Sequence, residues 1–214
     1  SAASDVYKRQ VAVFCGSMFG SNKNFKDLAI TVTKYLAQND YDIVYGGGEN
    51  GLMGVVAKTA LKYNAHVTGI IPSFLDKREK IHTKINKIYV TKTMEQRKKK
   101  FLQLSDSFVA LPGGGGTIEE ISLVISALQL GVIKGKKCIL FNYNNYWSDI
   151  INQYKKVMNS KFAYKNFKDL FSITDVKILE NFLFSLTVLV NELSKLSYFF
   201  AVSEYLVSKE LTSI

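Results

Sequence analysis

The sequence predicts an α/β fold: a Rossmann-like doubly wound parallel sheet flanked by helices on both faces. Three observations carry that expectation. Short apolar runs alternate with helix-period patterns along residues 11–175, as expected of successive βαβ units. The runs VAVFC, FVAL and CILF are almost continuously apolar, as strands covered on both faces must be. Glycine clusters close three of the runs, at Gly16-Ser17, Gly46-Gly47-Gly48 and Gly113–Gly116. With right-handed crossovers all three clusters fall on one edge of the sheet, where ligands of such folds bind.

Each element follows in order. VAVFCGS is the first strand, and residues 22–39 are a helix with Phe25, Leu28, Ala29, Val32, Leu36 and Ala37 on one face. YDIVYGGG is the second strand and 51–64 the second helix. AHVTGIIP and NKIYVT are the third and fourth strands. The helix from Thr93 to Leu104 opens on Thr93-x-x-Gln96, a capping-box pattern. SFVALPGG is the fifth strand, followed by a helix from Thr117 to Leu130; KKCILFN is the sixth, followed by a helix from Trp147 to Asn159. LFSIT is a candidate seventh strand, and the remainder reads as helix. The first ten residues, SAASDVYKRQ, are set aside as non-native or disordered, residues 11–175 form the main domain, and 176–214 are a C-terminal helical extension. FLFSLTVLV, between Glu180 and Glu192, is nine residues long. A membrane span needs about 20 apolar residues, so this run is expected to be a buried helix.

Composition narrows the function classes. Of 214 residues, 47% are hydrophobic and 21% charged, which suits a globular domain with a real core. A net charge of +10, from 28 basic and 18 acidic residues, favours anionic partners such as nucleotides. Nucleic acid is a weak candidate, because basic and aromatic residues do not interleave. Cys15 and Cys138 fall in predicted strands. They read as buried thiols of a cytoplasmic protein rather than a disulfide framework. His66, His82 and Ser17 lack the spacing of a metal site or a hydrolase triad, so neither a metal nor a triad is expected.

The glycines after the fifth strand have a physical use. Free N–H groups at a helix N-terminus hold a phosphate, aided by the helix dipole, and a Cβ would keep the backbone away from it. Gly113, Gly114 and Gly116 fit that role, with the Thr117 hydroxyl as a further donor. The segment is no Walker A loop, since no Gly-Lys-Ser/Thr follows. A structural alternative is a capping box, Thr117 at N-cap and Glu120 at N3. That alternative leaves the four glycines unexplained. Glu119 and Glu120 point about 100° apart on a helix, so one of them can face the crevice. In TMEQRKKKF, Arg97 and Lys98 lie one turn into a helix on the same sheet edge. An arginine there can hold a phosphate or carboxylate in a fork. Lys99 and Lys100 are expected on a solvated face.

PGGGGTIEE (Pro112–Glu120) and MEQRK (Met94–Lys98) resemble the paired PGGxGTxxE and Met-x-x-Arg-Lys motifs of the Lonely Guy (LOG) family of cytokinin-activating phosphoribohydrolases. VFCGS (Val13–Ser17), YGGGENGLMG (Tyr45–Gly54) and GIIP (Gly69–Pro72) are similar to segments of that family. The resemblance covers about residues 10–175. It implies hydrolysis of the N-glycosidic bond of a nucleoside 5′-monophosphate, AMP or an N6-modified AMP, to free base and ribose 5-phosphate, with no cofactor. It implies Arg97 and Glu120 as the catalytic pair. Gly113, Gly114, Gly116 and Thr117 would bind phosphate; Gly16, Ser17, Gly46, Gly47 and Gly48 would line the nucleotide crevice, with Met94 and Lys98 nearby. It further implies a homodimer or larger homo-oligomer with the site near the interface. The chain departs from the family at Met18, where relatives carry a small residue, and at Val132-Ile133-Lys134, which lacks a common His. The alternative within the fold is a non-catalytic nucleotide- or molybdenum-cofactor-binding protein, from which the presence of both Arg97 and Glu120 distinguishes this chain.

Overall fold

A computed structural model describes residues 9–75, 80–163 and 170–183. Seven strands form one sheet: β1 (Arg9–Phe14), β2 (Tyr41–Tyr45), β3 (Val67–Pro72), β4 (Lys87–Thr91), β5 (Ser107–Ala110), β6 (Lys137–Phe141) and β7 (Leu170–Ile173). Their order is β4-β3-β2-β1-β5-β6-β7, and every pair is parallel. Among the described residues the six α-helices are α1 (Asn24–Gln38), α2 (Gly51–Lys62), α3 (Met94–Leu104), α4 (Gly115–Gln129), α5 (Ser148–Asn159) and α6 (Val176–Leu183).

The alternation of side chains along β1 shows why helices must cover both faces. Val11 and Val13 enter one apolar core with residues of α1, α2 and α6. Ala12 and Phe14 enter a second core with residues of α3, α4 and α5. All four are essentially inaccessible to solvent. On α1, Leu28, Ala29, Val32, Leu36 and Ala37 are buried, as the periodicity predicts, and Phe25 packs at the margin of the core. Full burial of a valine or leucine side chain contributes about 1.5–3 kcal/mol, so this stripe holds α1 more firmly than helix propensity does. Asp40 and Asn64, just past α1 and α2, adopt φ of 59° and 60°, the left-handed turn that ends many helices.

The chain runs outward from β1 through β2 and β3 to β4, and α3 then carries it back to β5 on the other side of β1. The switch point therefore lies between β1 and β5. There the loops leaving two neighbouring parallel strands diverge and open a crevice.

The structure differs from the sequence reading in several places. β1 begins at Arg9, so Arg9 and Gln10 belong to the sheet: Arg9 pairs with Tyr41 and Gln10 with Asp42. The Gln10 N–H donates to Asp106 Oδ2 at 2.8 Å, and the Asp106 N–H donates to the Gln10 carbonyl at 2.7 Å. Their ladder partners, not their own composition, order these two residues. β5 ends at Ala110, and α4 starts at Gly115 with Gly114 at N-cap. The structural alternative, a Thr117–Glu120 capping box, does not form, because Thr117 already lies in the first turn. At α3 the N-cap half of the box forms, while the Gln96 side chain reaches back to Lys92, one residue before the N-cap Thr93. The Gln96 N–H donates to Thr93 Oγ1 at 3.2 Å, and Gln96 Oε1 accepts the Lys92 N–H at 2.9 Å. The apolar face of α6 joins the first core through Leu179, so packing continues past residue 175. Of FLFSLTVLV, residues 184–190 lie outside the described residues, as do residues 1–8 and the rest of the extension. Among the described residues no helix is long and apolar enough to cross a membrane.

Candidate active site

The glycine clusters meet at the carboxyl ends of β1, β2 and β5. The Gly16 N–H donates to the Pro112 carbonyl at 3.1 Å, and the Gly16 carbonyl accepts the Leu52 N–H at 3.1 Å. A Cβ on Gly113 would come 2.2 Å from Thr117 Oγ1 and 2.9 Å from the Gly16 nitrogen. The first and fifth strand loops are thus in van der Waals contact, and Thr117, buried, has its hydroxyl beside Gly113.

The next three glycines are different. Gly114, Gly115 and Gly116 are exposed, and a Cβ on any of them would meet nothing within 4 Å. None has positive φ. Neither packing nor backbone conformation within the chain demands glycine there. The open space over these residues leaves room for a group to approach the amides at close range. No side chain caps α4, and its first turn carries no acidic residue, so the N–H groups and the positive end of the dipole face outward.

Arg97 and Glu120 come together above this edge. Arg97 Nη2 lies 3.2 Å from Glu120 Oε1, with side-chain exposures of 11% and 12%. Arg97 is fixed on three further sides. Its Nε donates to the Ile70 carbonyl at 3.2 Å. Its guanidinium lies 5.3 Å from the Phe101 ring centroid, in cation–π range. A Cβ on Gly46 would come 2.8 Å from Nη2, so this glycine makes room for the guanidinium. The Glu120 charge reaches the end of β1: burial first, and then that charge, push the Cys15 thiol pKa up. A shielded carboxylate held by a guanidinium can stabilise developing positive charge or take a proton from water.

Lys98 and Glu119 form a second rung between α3 and α4, an ion pair at the helix surface. Glu120 therefore faces the crevice and Glu119 faces outward, as the 100° offset requires. Lys98 is directed to Glu119, and Met94 is half-buried in the first turn of α3. Lys99 is exposed, but Lys100 is not simply solvated: its Nζ sits 4.8 Å from the Tyr89 ring centroid. Ser17 is exposed on the loop after β1.

Gly46, Gly47 and Gly48 are buried, so they form the floor behind Arg97. Residues 80–82 strap this floor. The Glu49 N–H donates to the Lys80 carbonyl at 2.7 Å, and the His82 N–H to the Gly47 carbonyl at 3.0 Å. His82, expected to lie in a basic loop, is buried, and among the described residues neither ring nitrogen has a hydrogen-bond partner. Burial is the main cause that pushes its pKa down; Lys58 and Lys84 act in the same direction, and Glu49 opposes them. Tyr146 was also not singled out from sequence, yet its hydroxyl donates to the Gly113 carbonyl at 2.7 Å. A lone polar residue in a turn carries no periodic signal, so neither contact is legible before the fold is known.

Comparison with known proteins identifies the family and the fold. The family model described as "Possible lysine decarboxylase" matches residues 53–179. A probable cytokinin riboside 5'-monophosphate phosphoribohydrolase of Oryza sativa subsp. japonica is 36% identical over 167 residues, covering 78% of this chain and 72% of the relative. A cytokinin riboside 5'-monophosphate phosphoribohydrolase of Arabidopsis thaliana is 37% identical, covering 72% of each. The chain spans 61% and 63% of two longer rice relatives. The molybdenum cofactor carrier protein of Chlamydomonas reinhardtii has the same fold, with a TM-score of 0.62 over 83% of this chain and 99% of the other, at 19% identity. The chain belongs to the LOG family of phosphoribohydrolases, the family that the "Possible lysine decarboxylase" model matches.

Proposed function

We infer that the protein is a nucleoside 5′-monophosphate phosphoribohydrolase, a hydrolase acting on N-glycosyl bonds. AMP and N6-modified AMP of the cytokinin type are the proposed substrates. The observation that carries this reading is the shielded Arg97–Glu120 pair, 3.2 Å apart, beside the open glycine N-terminus of α4. A phosphate on the amides of residues 114–116 and the Thr117 hydroxyl would extend the ribose across the loops after β1 and β5. Its anomeric carbon would then lie toward Glu120.

The reaction breaks the bond from C1′ to the base nitrogen and forms a bond from C1′ to a water oxygen. The base leaves with the electron pair and takes up a proton, and the water loses one. The oxocarbenium-like sugar carries positive charge in the transition state, which a carboxylate stabilises. Glu120 supplies that carboxylate and accepts the proton from water; Arg97 orients it. Gly16 and Ser17 line the crevice at β1, Gly46–Gly48 form its floor, and Met94 and Lys98 flank it. The molybdenum-cofactor reading gains no support beyond the shared fold, because the likeness to the carrier protein is 19% in sequence.

The exposed Met18 and Phe19 after β1, with Ile118 in the first turn of α4, support a homodimer or larger homo-oligomer joined near this rim. The two free buried thiols support a cytoplasmic setting. Light scattering on the purified protein tests the assembly; a monomer at micromolar concentration rejects it.

The experiment for the activity is incubation with a panel of nucleoside monophosphates, following free base by chromatography. Release of adenine or an N6-modified adenine is expected. With Glu120→Gln, turnover is expected to vanish while nucleotide binding survives. Full turnover in that variant, or no base released from any monophosphate by the wild type, rejects the assignment.

A further inference from the structure

Three consecutive carbonyls of the glycine bend are engaged by donors from the protein itself. The Pro112 carbonyl accepts the Gly16 N–H at 3.1 Å, and the Gly114 carbonyl accepts the Ile118 N–H at 3.1 Å. Between them, the Gly113 carbonyl accepts the Tyr146 hydroxyl at 2.7 Å. The outer two bonds are backbone to backbone. The middle one depends on a single side chain.

That bond controls an N–H as well as a carbonyl. In a trans peptide the C=O and the following N–H point in opposite directions. Holding the Gly113 oxygen therefore aims the Gly114 N–H to the opposite side of the peptide plane. Glycine leaves such a plane free to turn, and a turned plane would present a carbonyl lone pair to an anion. Tyr146 is itself braced. Its ring meets Trp147 edge-on at 4.8 Å and Phe25 edge-on at 5.4 Å between centroids. Trp147 is buried, with its backbone N–H on Asn142 Oδ1 at 2.7 Å. Asn144 and Asn145, with φ of 49° and 59°, form the left-handed turn that leads into Tyr146.

We propose that Tyr146 is a positioning residue for phosphate binding, holding the Gly113–Gly114 peptide with its N–H, not its carbonyl, toward the phosphoryl group. The proposal rests on the phosphoribohydrolase reading for the identity of the substrate. The geometry itself asks only for a phosphate.

The test is Tyr146→Phe, which keeps the ring packing and removes the hydroxyl. A hydrogen bond of this kind is worth roughly three- to tenfold in affinity. KM for AMP is expected to rise by that factor. The inhibition constant of inorganic phosphate should rise equally, while kcat changes less and residual turnover of unphosphorylated adenosine does not follow. Tyr146→Leu, which also loses the ring packing, is the control. If Tyr146→Phe binds phosphate like wild type and only Tyr146→Leu is impaired, the ring matters and the hydroxyl assignment falls. It falls as well if kcat drops while KM and phosphate inhibition stay unchanged. Should the wild type release no base from any monophosphate, calorimetric titration with inorganic phosphate decides the matter separately. Weaker binding in Tyr146→Phe upholds the proposal, and equal binding overturns it.

Discussion

Arg97 reaches Glu120 at 3.2 Å while its Nε is tied to the Ile70 carbonyl, so one side chain joins α4 to β3. A guanidinium can make both bonds because its donors form a planar fork; an ammonium is a single point on a flexible stem. Arg97→Lys keeps the charge and loses the fork. Hydrogen bonds to charged groups are worth about 1.5–3 kcal/mol, so kcat should fall roughly 10- to 100-fold. Phosphate inhibition should hardly change, because the α4 amides are untouched. Steady-state kinetics with inorganic phosphate as competitor separates the two effects.

Gly46→Ala should reproduce part of that loss from the floor of the crevice. The new methyl would lie 2.8 Å from both Arg97 Nη2 and Met53 Sδ. The guanidinium must move off Glu120 or the methionine must repack. Overpacking of this kind costs about 1–3 kcal/mol. The melting temperature should fall, and kcat should fall about tenfold if one hydrogen bond to a charged group is lost. A variant with wild-type kcat would show that the glycine is needed for the floor and not for the arginine.

Much of this arrangement was legible in the sequence, for reasons that differ by element. β1, β5 and β6 announce themselves because strands covered on both faces must be apolar throughout. α1 shows its buried stripe at helical spacing. The resemblance in MEQRK and PGGGGTIEE singled out Arg97 and Glu120, but their meeting depends on α3 and α4 packing side by side, which only the fold supplies. The start of α4 was misplaced because Gly115 and Gly116 read as loop by propensity. The chain turns helical at Gly115, after a four-residue turn from β5, and Thr117 lies inside the first turn instead of capping it. The order of Arg9 and Gln10 comes from Tyr41, Asp42 and Asp106, all more than thirty positions away.

The glycines of the bend should separate into two kinds on substitution. Gly115→Ala and Gly116→Ala place a methyl in open space and improve helix propensity by up to about 1 kcal/mol. Both variants should melt at or slightly above the wild-type temperature, yet bind inorganic phosphate and AMP more weakly. Gly113→Ala drives its Cβ to 2.2 Å from Thr117 Oγ1 and should lose stability as well as binding. Thermal melts paired with phosphate titration check the contrast. Equal phosphate affinity in Gly115→Ala, Gly116→Ala and wild type would remove the anion site from the start of α4.

His82 gives the fold an acid limit whose sign follows from its burial. Its ring is buried with neither nitrogen partnered, and its pKa in the folded protein is pushed below the ordinary value of 6.5, by burial first. Between the two values the unfolded chain binds a proton that the folded chain refuses, so stability rises with pH across that window. As pH falls below 6.5 through the depressed folded value, this contribution is lost. The strap over Gly47 and Gly48 should be the first segment to loosen, because the His82 N–H on the Gly47 carbonyl is one of its two backbone ties. Replacing the imidazole in His82→Leu should flatten the pH dependence of the melting temperature between about pH 7 and about pH 5, the range around the ordinary histidine value. Glu49, on the same strap, does not account for such a slope: its hydrogen bond from Lys80, at 2.8 Å, holds its carboxyl below the ordinary carboxylate value. Hydrogen exchange at residues 47–49 and 80–82, measured at both ends of the range, locates the opening. An unchanged slope in His82→Leu would assign the acid sensitivity to other groups.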